Sequence, residues 1–223
     1  MSHSAISSEG FTGCDILNME TKFMTFSNET LSHTYTDSHV PYHLRLATPE
    51  DAYAICTIMD TCFQALEHKE YFICDDFDYV TQVLQGQGFG VVACHSTGQI
   101  VGNLLITYPG LKEDNLGYDV FPKKESPSAS STLPLLSEEH LNRVLHMDSC
   151  SVLPMHRGHG LEGKMIAFAE TLINTSQHRY SFATVAPKNT ASLKTLEKCG
   201  YRIMVTKEKY NGYIRHVMMK ELI

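Results

Sequence analysis

From residue 41 onward the apolar positions follow clear periods, and before it they do not. His43-Leu44-Arg45-Leu46 alternates as a strand does. Thr48-Pro49-Glu50-Asp51 then offers a helix start, with an N-cap residue, proline in the first turn and an acid three places after the cap. Ile55, Met59, Cys62, Phe63 and Leu66 recur at helical spacing. A second short helix is expected over 77–84, ended by the glycine-rich run 86–90. Two strands follow, 91–94 and 100–106, with Ser96-Thr97-Gly98 as the turn of an antiparallel hairpin. Residues 109–136 break the pattern. They hold four of the eight prolines and a low-complexity stretch, 126–132. A loop of that length within a domain reads as a functional lid or a mobile insert.

The pattern returns with a short helix over 137–144 and a strand over 145–153 that stops at Pro154. A strong helix is expected over 160–174, with Leu161, Met165, Phe168 and Leu172 as one stripe, flanked by Ile166, Ala169 and Ile173. A strand over 182–185 and a helix over 189–198 come next, the latter closed by Gly200 in the C′ position. The chain finishes with strands over 201–207 and 213–220, joined through the favoured turn Asn211-Gly212. The order β α α β β, insert, β α β α β β describes an α/β fold with a mixed sheet. Two hairpins interrupt it, so it is no repeating βαβ array.

Length and composition narrow this further. A chain of 223 residues with 43% hydrophobic residues supports one domain with a real core. Residues 1–40 carry Ser or Thr at 13 positions and show no period, so they read as a flexible or docked arm ahead of a domain over 41–223. A net charge of −7 disfavours nucleic acid as a partner. No apolar run is long enough to span a membrane, and the first 40 residues lack the features of a targeting peptide, so a cytoplasmic protein is expected. The seven cysteines, at 14, 56, 62, 74, 94, 150 and 199, form no CxxC pair and read as buried free thiols.

The chemistry concentrates after Pro154. Gly158-x-Gly160-x-x-Gly163 matches the dinucleotide fingerprint and lies between a strand and a helix. The strand over 182–185 does not end in the acid that would hold a ribose, and too few residues follow for the other strands of that fold. The physics of the loop survives that rejection. Glycines let backbone N–H groups approach an anion, the helix N-terminus favours negative charge, and Arg157 adds a bidentate donor, with Lys164 close by. His156-x-x-His159 invites a metal reading, but no cysteine or acid at ligand spacing completes a set, and no metal is expected.

The run Val152-Leu153-Pro154-Met155-His156-Arg157-Gly158-His159-Gly160-Leu161-Glu162-Gly163 resembles the phosphate loop of the GNAT superfamily of acyl-CoA-dependent N-acyltransferases. The segment from Asn189 to Tyr201 is similar to that family's Asn-x-x-Ala/Ser…Glu-Lys-x-Gly-Phe/Tyr helix. Residues 45–52 and 210–216 resemble its opening and its ending. Glu162 departs, standing where Gly or Ala is usual. The resemblance implies a central mixed sheet whose two parallel strands splay apart, with acetyl-CoA in the gap. It implies Val152, Arg157, Gly158, His159, Gly160, Leu161, Gly163 and Asn189 as cofactor-binding residues.

Direct acetyl transfer in a ternary complex then needs a base for the amine and, where present, an acid for the leaving thiolate. Asp148, four residues before Val152, is the candidate base, and His146, on the same strand face, is the lesser one. Many relatives carry a tyrosine seven residues after the Asn; here that position is Leu196. Ser192, Tyr201 and Tyr210 are the substitutes. The acceptor would be a small-molecule amine or a protein amino group, and the resemblance leaves a homodimer open. A non-catalytic acyl-CoA-binding or sensor module on the same fold is the competing reading, motivated by Leu196 and Glu162.

Overall fold

The structure is a computed structural model, and it describes residues 41–124, 132–210 and 212–223. The N-terminal arm, nearly all of the low-complexity stretch and Asn211 of the last turn lie outside the described residues.

Seven strands form one sheet in the order β1-β2-β3-β4-β5-β7-β6. They are β1 (Tyr42–Leu46), β2 (Gly88–His95), β3 (Ile100–Thr107), β4 (Val144–Val152), β5 (Tyr180–Val185), β6 (Arg202–Lys209) and β7 (Tyr213–Glu221). Neighbours are antiparallel except β4 and β5, which run parallel. The helices are α1 (Ala52–Gln64), α2 (Phe77–Gln82), α3 (Gly117–Val120), α4 (Glu138–Leu141), α5 (Leu161–Leu172) and α6 (Thr190–Lys198). Among the described residues no helix is long and apolar enough to cross a membrane.

Local chemistry explains most starts and stops. The Asp51 carboxylate accepts from the Thr48 N–H at 2.8 Å and from Arg45 at 2.6 and 2.8 Å, which ties the end of β1 to the turn before α1. Asp76 caps α2 by accepting from the Tyr79 N–H, and Asn189 caps α6 by accepting from the Ser192 N–H. The glycine run expected only to break α2 does more. Gly88 and Gly90 belong to β2. At Gly88 a Cβ would lie 1.9 Å from the Ile106 carbonyl oxygen, so only glycine lets the backbones come that close.

Alternation along the strands sends side chains to two cores. On one face, α1 and α2 pack over Val92, Cys94 and Leu105. On the other, α5 and α6 bring Leu161, Met165, Ile166, Ala169 and Leu196 onto Leu104, Ile106, Leu145, Met147 and Ala183.

The described parts of the insert are not a loose lid. Leu116 and Phe121 bury against Val144, Tyr180, Phe182 and Val217, with Leu133 and Leu136 packed beside them. Asn115, 1% exposed, donates to the Gly110 and Leu141 carbonyls at 2.5 and 3.1 Å and accepts from the Gly117 N–H at 2.8 Å. Asp119 takes Lys207 and Lys209 at 2.6 and 2.7 Å. These contacts use apolar residues that look unpatterned in sequence because they follow no helix or strand period.

Asn115→Ala should cost about 2–4 kcal/mol, since it orphans buried backbone groups on both flanks of the insert. Urea denaturation measures it; a loss under about 0.5 kcal/mol would show the insert to be weakly anchored.

Candidate active site

The parallel strands β4 and β5 pair only at Val144–Tyr180, Leu145–Ser181 and His146–Phe182. Beyond that point no ladder joins them. A bulge in β4 lies close to the divergence: Ile106 faces Met147, yet Leu104 faces Cys150, so β4 carries one extra residue there. Bulges re-aim side chains. Here Asp148 and Ser149 both turn toward the α1–α2 face, where they meet Tyr79 and Asp75.

The divergence opens a cavity of about 490 Å³. Its walls come from β4 (Met147, Asp148, Cys150, Ser151, Val152), β5 (Ala183, Thr184, Val185), the loop and first turn of α5, α6, and the segment after α1 with Leu66, Tyr71 and Phe72. At one end sits the loop leading into α5. Gly158 and Gly160 have φ of +82° and +69°, a region costly for side-chain-bearing residues, and nothing lies within 4 Å of where their Cβ atoms would be. The loop is therefore open above its backbone at a helix N-terminus, a geometry suited to anions.

Over residues 52–201 the sequence matches the acetyltransferase (GNAT) family. The chain belongs to that family. No curated protein matches it, but many solved structures do. NAA60 from Arabidopsis thaliana, in complex with a bisubstrate analogue, is 12% identical with a TM-score of 0.59, covering 81% of this chain and 97% of its own. A GNAT acetyltransferase from Listeria monocytogenes is 17% identical with a TM-score of 0.58, covering 85% and 99%. The protein yncA of Salmonella typhimurium, solved with its cofactor acetyl-CoA, is 15% identical with a TM-score of 0.57, covering 82% and 94%.

Acetyl-CoA is the co-substrate of GNAT proteins. The residues present fit it: parted strands leave backbone groups needing partners, the cavity joins that gap to the open loop, and α5 starts there. Arg157, Gly158, Gly160, Leu161, Val152 and Asn189 all line the cavity. The Val152 carbonyl already accepts from the Cys62 thiol at 3.2 Å and Arg157 Nε at 3.1 Å. Two residues named beside them lie off its wall. The His159 ring packs on Tyr42, with centroids 5.2 Å apart. Gly163 faces α6 instead, where a Cβ would meet Thr195 and Cys199 at 3.6 and 3.7 Å. The period of α5 turns that position toward its neighbouring helix.

Glu162 does line the cavity, and its carboxylate accepts from the Ser192 hydroxyl at 2.7 Å. Burial holds its pKa above the usual carboxylate range, against the lowering effect of that hydrogen bond. Ser192 thus reaches the cavity wall with its hydroxyl engaged. Among the described residues no group of three or more His, Cys, Asp or Glu is arranged to hold a metal.

The catalytic candidates separate sharply. Asp148 opens onto the cavity while most of its surroundings are protein, and burial pushes its pKa up, with Tyr79 lowering it and Asp114 raising it. The Tyr79 hydroxyl donates to Asp148 Oδ2. Tyr201 is not brought to the cavity. It is 2% exposed, within the α5–α6 core, and its hydroxyl pairs with Ser181 Oγ at 2.6 Å. His146 is likewise structural: it is buried, its Nε2 accepts from the Leu116 N–H at 3.2 Å, and burial lowers its pKa to about 4. Leu196 lines the cavity. The Tyr210 hydroxyl pairs with Thr184 Oγ1 at 3.1 Å, on a residue of the β5 wall.

Tyr79 and Asp75 were missed in sequence. Tyr79 falls in the first turn of the short helix expected over 77–84, but nothing local said that this turn would face β4. Burial raises the pKa of Asp75 to about 6, with Asp148 and Asp76 adding to it and the Ser149 hydroxyl opposing. Because the folded pKa exceeds the ordinary 3.8, the folded state holds this proton longer than the unfolded chain. Its contribution to stability is fully present below 3.8 and is lost as pH rises through about 6. Asp75→Asn, which can still accept from Ser149, should therefore raise Tm by a few degrees at pH 7.5 and leave it unchanged near pH 4. Equal effects at both pH values in thermal melts would contradict the assignment.

Proposed function

We propose that the protein is an N-acetyltransferase that moves the acetyl group of acetyl-CoA to a primary amine of a small molecule or protein, by direct transfer in a ternary complex. The observation that carries this reading is Asp148: a carboxylate of raised pKa, set by a strand bulge on the wall of the cavity that ends at the α5 loop.

Tyr79 donates to Oδ2 of Asp148, and the carboxylate keeps acceptor capacity for the amine. An incoming ammonium loses its proton to Asp148, directly or through water, and the free amine attacks the thioester carbonyl. A base whose pKa lies above the ordinary carboxylate value is better matched to this task near neutral pH. Leu66, Tyr71 and Phe72 add apolar surface to the same cavity. Backbone N–H groups of the loop and the start of α5, with Arg157, hold the pyrophosphate. The thiolate of coenzyme A leaves to be protonated by solvent, because Leu196 offers no proton, Tyr201 lies in the core, and the Ser192 and Tyr210 hydroxyls are engaged with Glu162 and Thr184. That same Leu196 supports the second reading, an acyl-CoA-binding module without turnover.

An acceptor screen with thiol detection separates the two. Asp148→Asn should lower kcat/KM by about a hundredfold to ten-thousandfold while calorimetry finds acetyl-CoA binding intact. Tyr79→Phe should lower it by about tenfold. In the wild type kcat/KM should rise with pH as the base ionises. Absence of turnover with any amine, with cofactor still bound, would favour the binding module.

Glu162 brings a carboxylate to the cavity that the loop borders. Glu162→Gln keeps an acceptor for Ser192 and should tighten acetyl-CoA about threefold to tenfold at pH 8. Weaker binding would mean that the acid organises the loop rather than opposing the ligand.

A further inference from the structure

His156-x-x-His159 belongs to no metal centre among the described residues, yet His156 lines the cavity directly beside Arg157 and Gly158. Its ring is held on several sides. The Tyr42 hydroxyl lies 2.9 Å from Nδ1. The Tyr42 ring meets the imidazole edge-on, with centroids 5.7 Å apart at 84°, and His95 lies 5.5 Å away at 54°. His159 closes the other side of Tyr42 at 5.2 Å, with its Nδ1 3.2 Å from the His156 carbonyl oxygen.

The Tyr42 hydroxyl can donate to Nδ1, and in that arrangement the ring proton sits on Nε2. Nε2 makes no hydrogen bond to the described residues. In that tautomer a residue of the cavity wall next to the glycine loop carries an N–H that no described residue engages. Arg157, which lines the same cavity, has its Nε engaged by the Val152 carbonyl at 3.1 Å, so one of its five N–H donors is already used.

We propose that the His156 side chain is a phosphate-binding group for the coenzyme A half of the substrate, with Tyr42 as the residue that orients it. This rests on the acetyl-CoA reading above. Strand β1 thereby contributes to the cofactor site although it lies at the far edge of the sheet from β5.

The test is calorimetric titration of the whole protein with acetyl-CoA, with thermal melting alongside. His156→Phe keeps an aromatic ring and removes the donor; it should weaken binding about tenfold. His156→Gln places an amide N–H where Nε2 stands and should bind within about threefold of the wild type. Tyr42→Phe frees the ring proton to sit on either nitrogen and should cost about threefold. Equal binding by the Phe variant and the wild type overturns the proposal. So does an equal loss in the Phe and Gln variants, which would mark a packing role. A wild type that does not bind acetyl-CoA at all would sink the underlying reading, and with it this one.

Discussion

After the pair His146–Phe182 the two central strands share no hydrogen bond, and the backbone edges this leaves must find partners outside the sheet. Much of the site follows from that constraint. The gap gives a polar-edged slot, and Asp148, within the β4 bulge beside it, lies on the slot's wall. Had β4 and β5 stayed paired along their length, the same residues would form an ordinary sheet interior with no room for a ligand. The neighbouring layers hold the gap open. Helix α5 packs on β3 and β4 through Met165, Ile166 and Ala169, and the insert seals the opposite face over Val144 and Phe182.

The cavity is electrostatically divided. At one end the glycine loop, Arg157 and the start of α5 offer donors and a positive helix terminus. Away from the loop, the wall carries Asp148, with Asp75 close by behind Ser149; burial raises the pKa of both, with Asp114 adding to the rise at Asp148 and Asp148 to that at Asp75. An anionic, extended ligand and a cationic acceptor would each meet complementary charge, and a net charge of −7 is no obstacle because the anion site is local. Glu162 interrupts this division, and its bond to Ser192 shows how: the carboxylate is drawn toward α6.

Four of the described histidines play three different parts. His146 is a buried acceptor for the insert backbone, kept neutral by burial. His159 and His95 are packing partners of Tyr42. His156 alone among the four lines the cavity. Residue type therefore predicted little here; the partner of each ring nitrogen separates the roles.

Periodicity, caps and the glycine loop determined a great deal unaided, since they are local: a helix face, a first turn or a left-handed glycine is set by residues within one or two turns of each other. That made the element order, the anion-suited start of α5 and the family resemblance legible in sequence. Other features were decided only by tertiary structure. The extra residue in β4 shows only against β3, Tyr79 reaches Asp148 from 69 residues away, and Tyr42 reaches His156 from 114. Tyr201, a plausible donor by type and position, went to the core because Ser181 and α5 packing satisfy it there. Gly163 turned to α6 and His159 to β1 because helix phase and ring packing, set across the fold, fix which side of a loop faces the ligand. Contacts between distant segments leave no period in the sequence, so the chain alone marks where the site begins and the packed sheet decides which residues enter it.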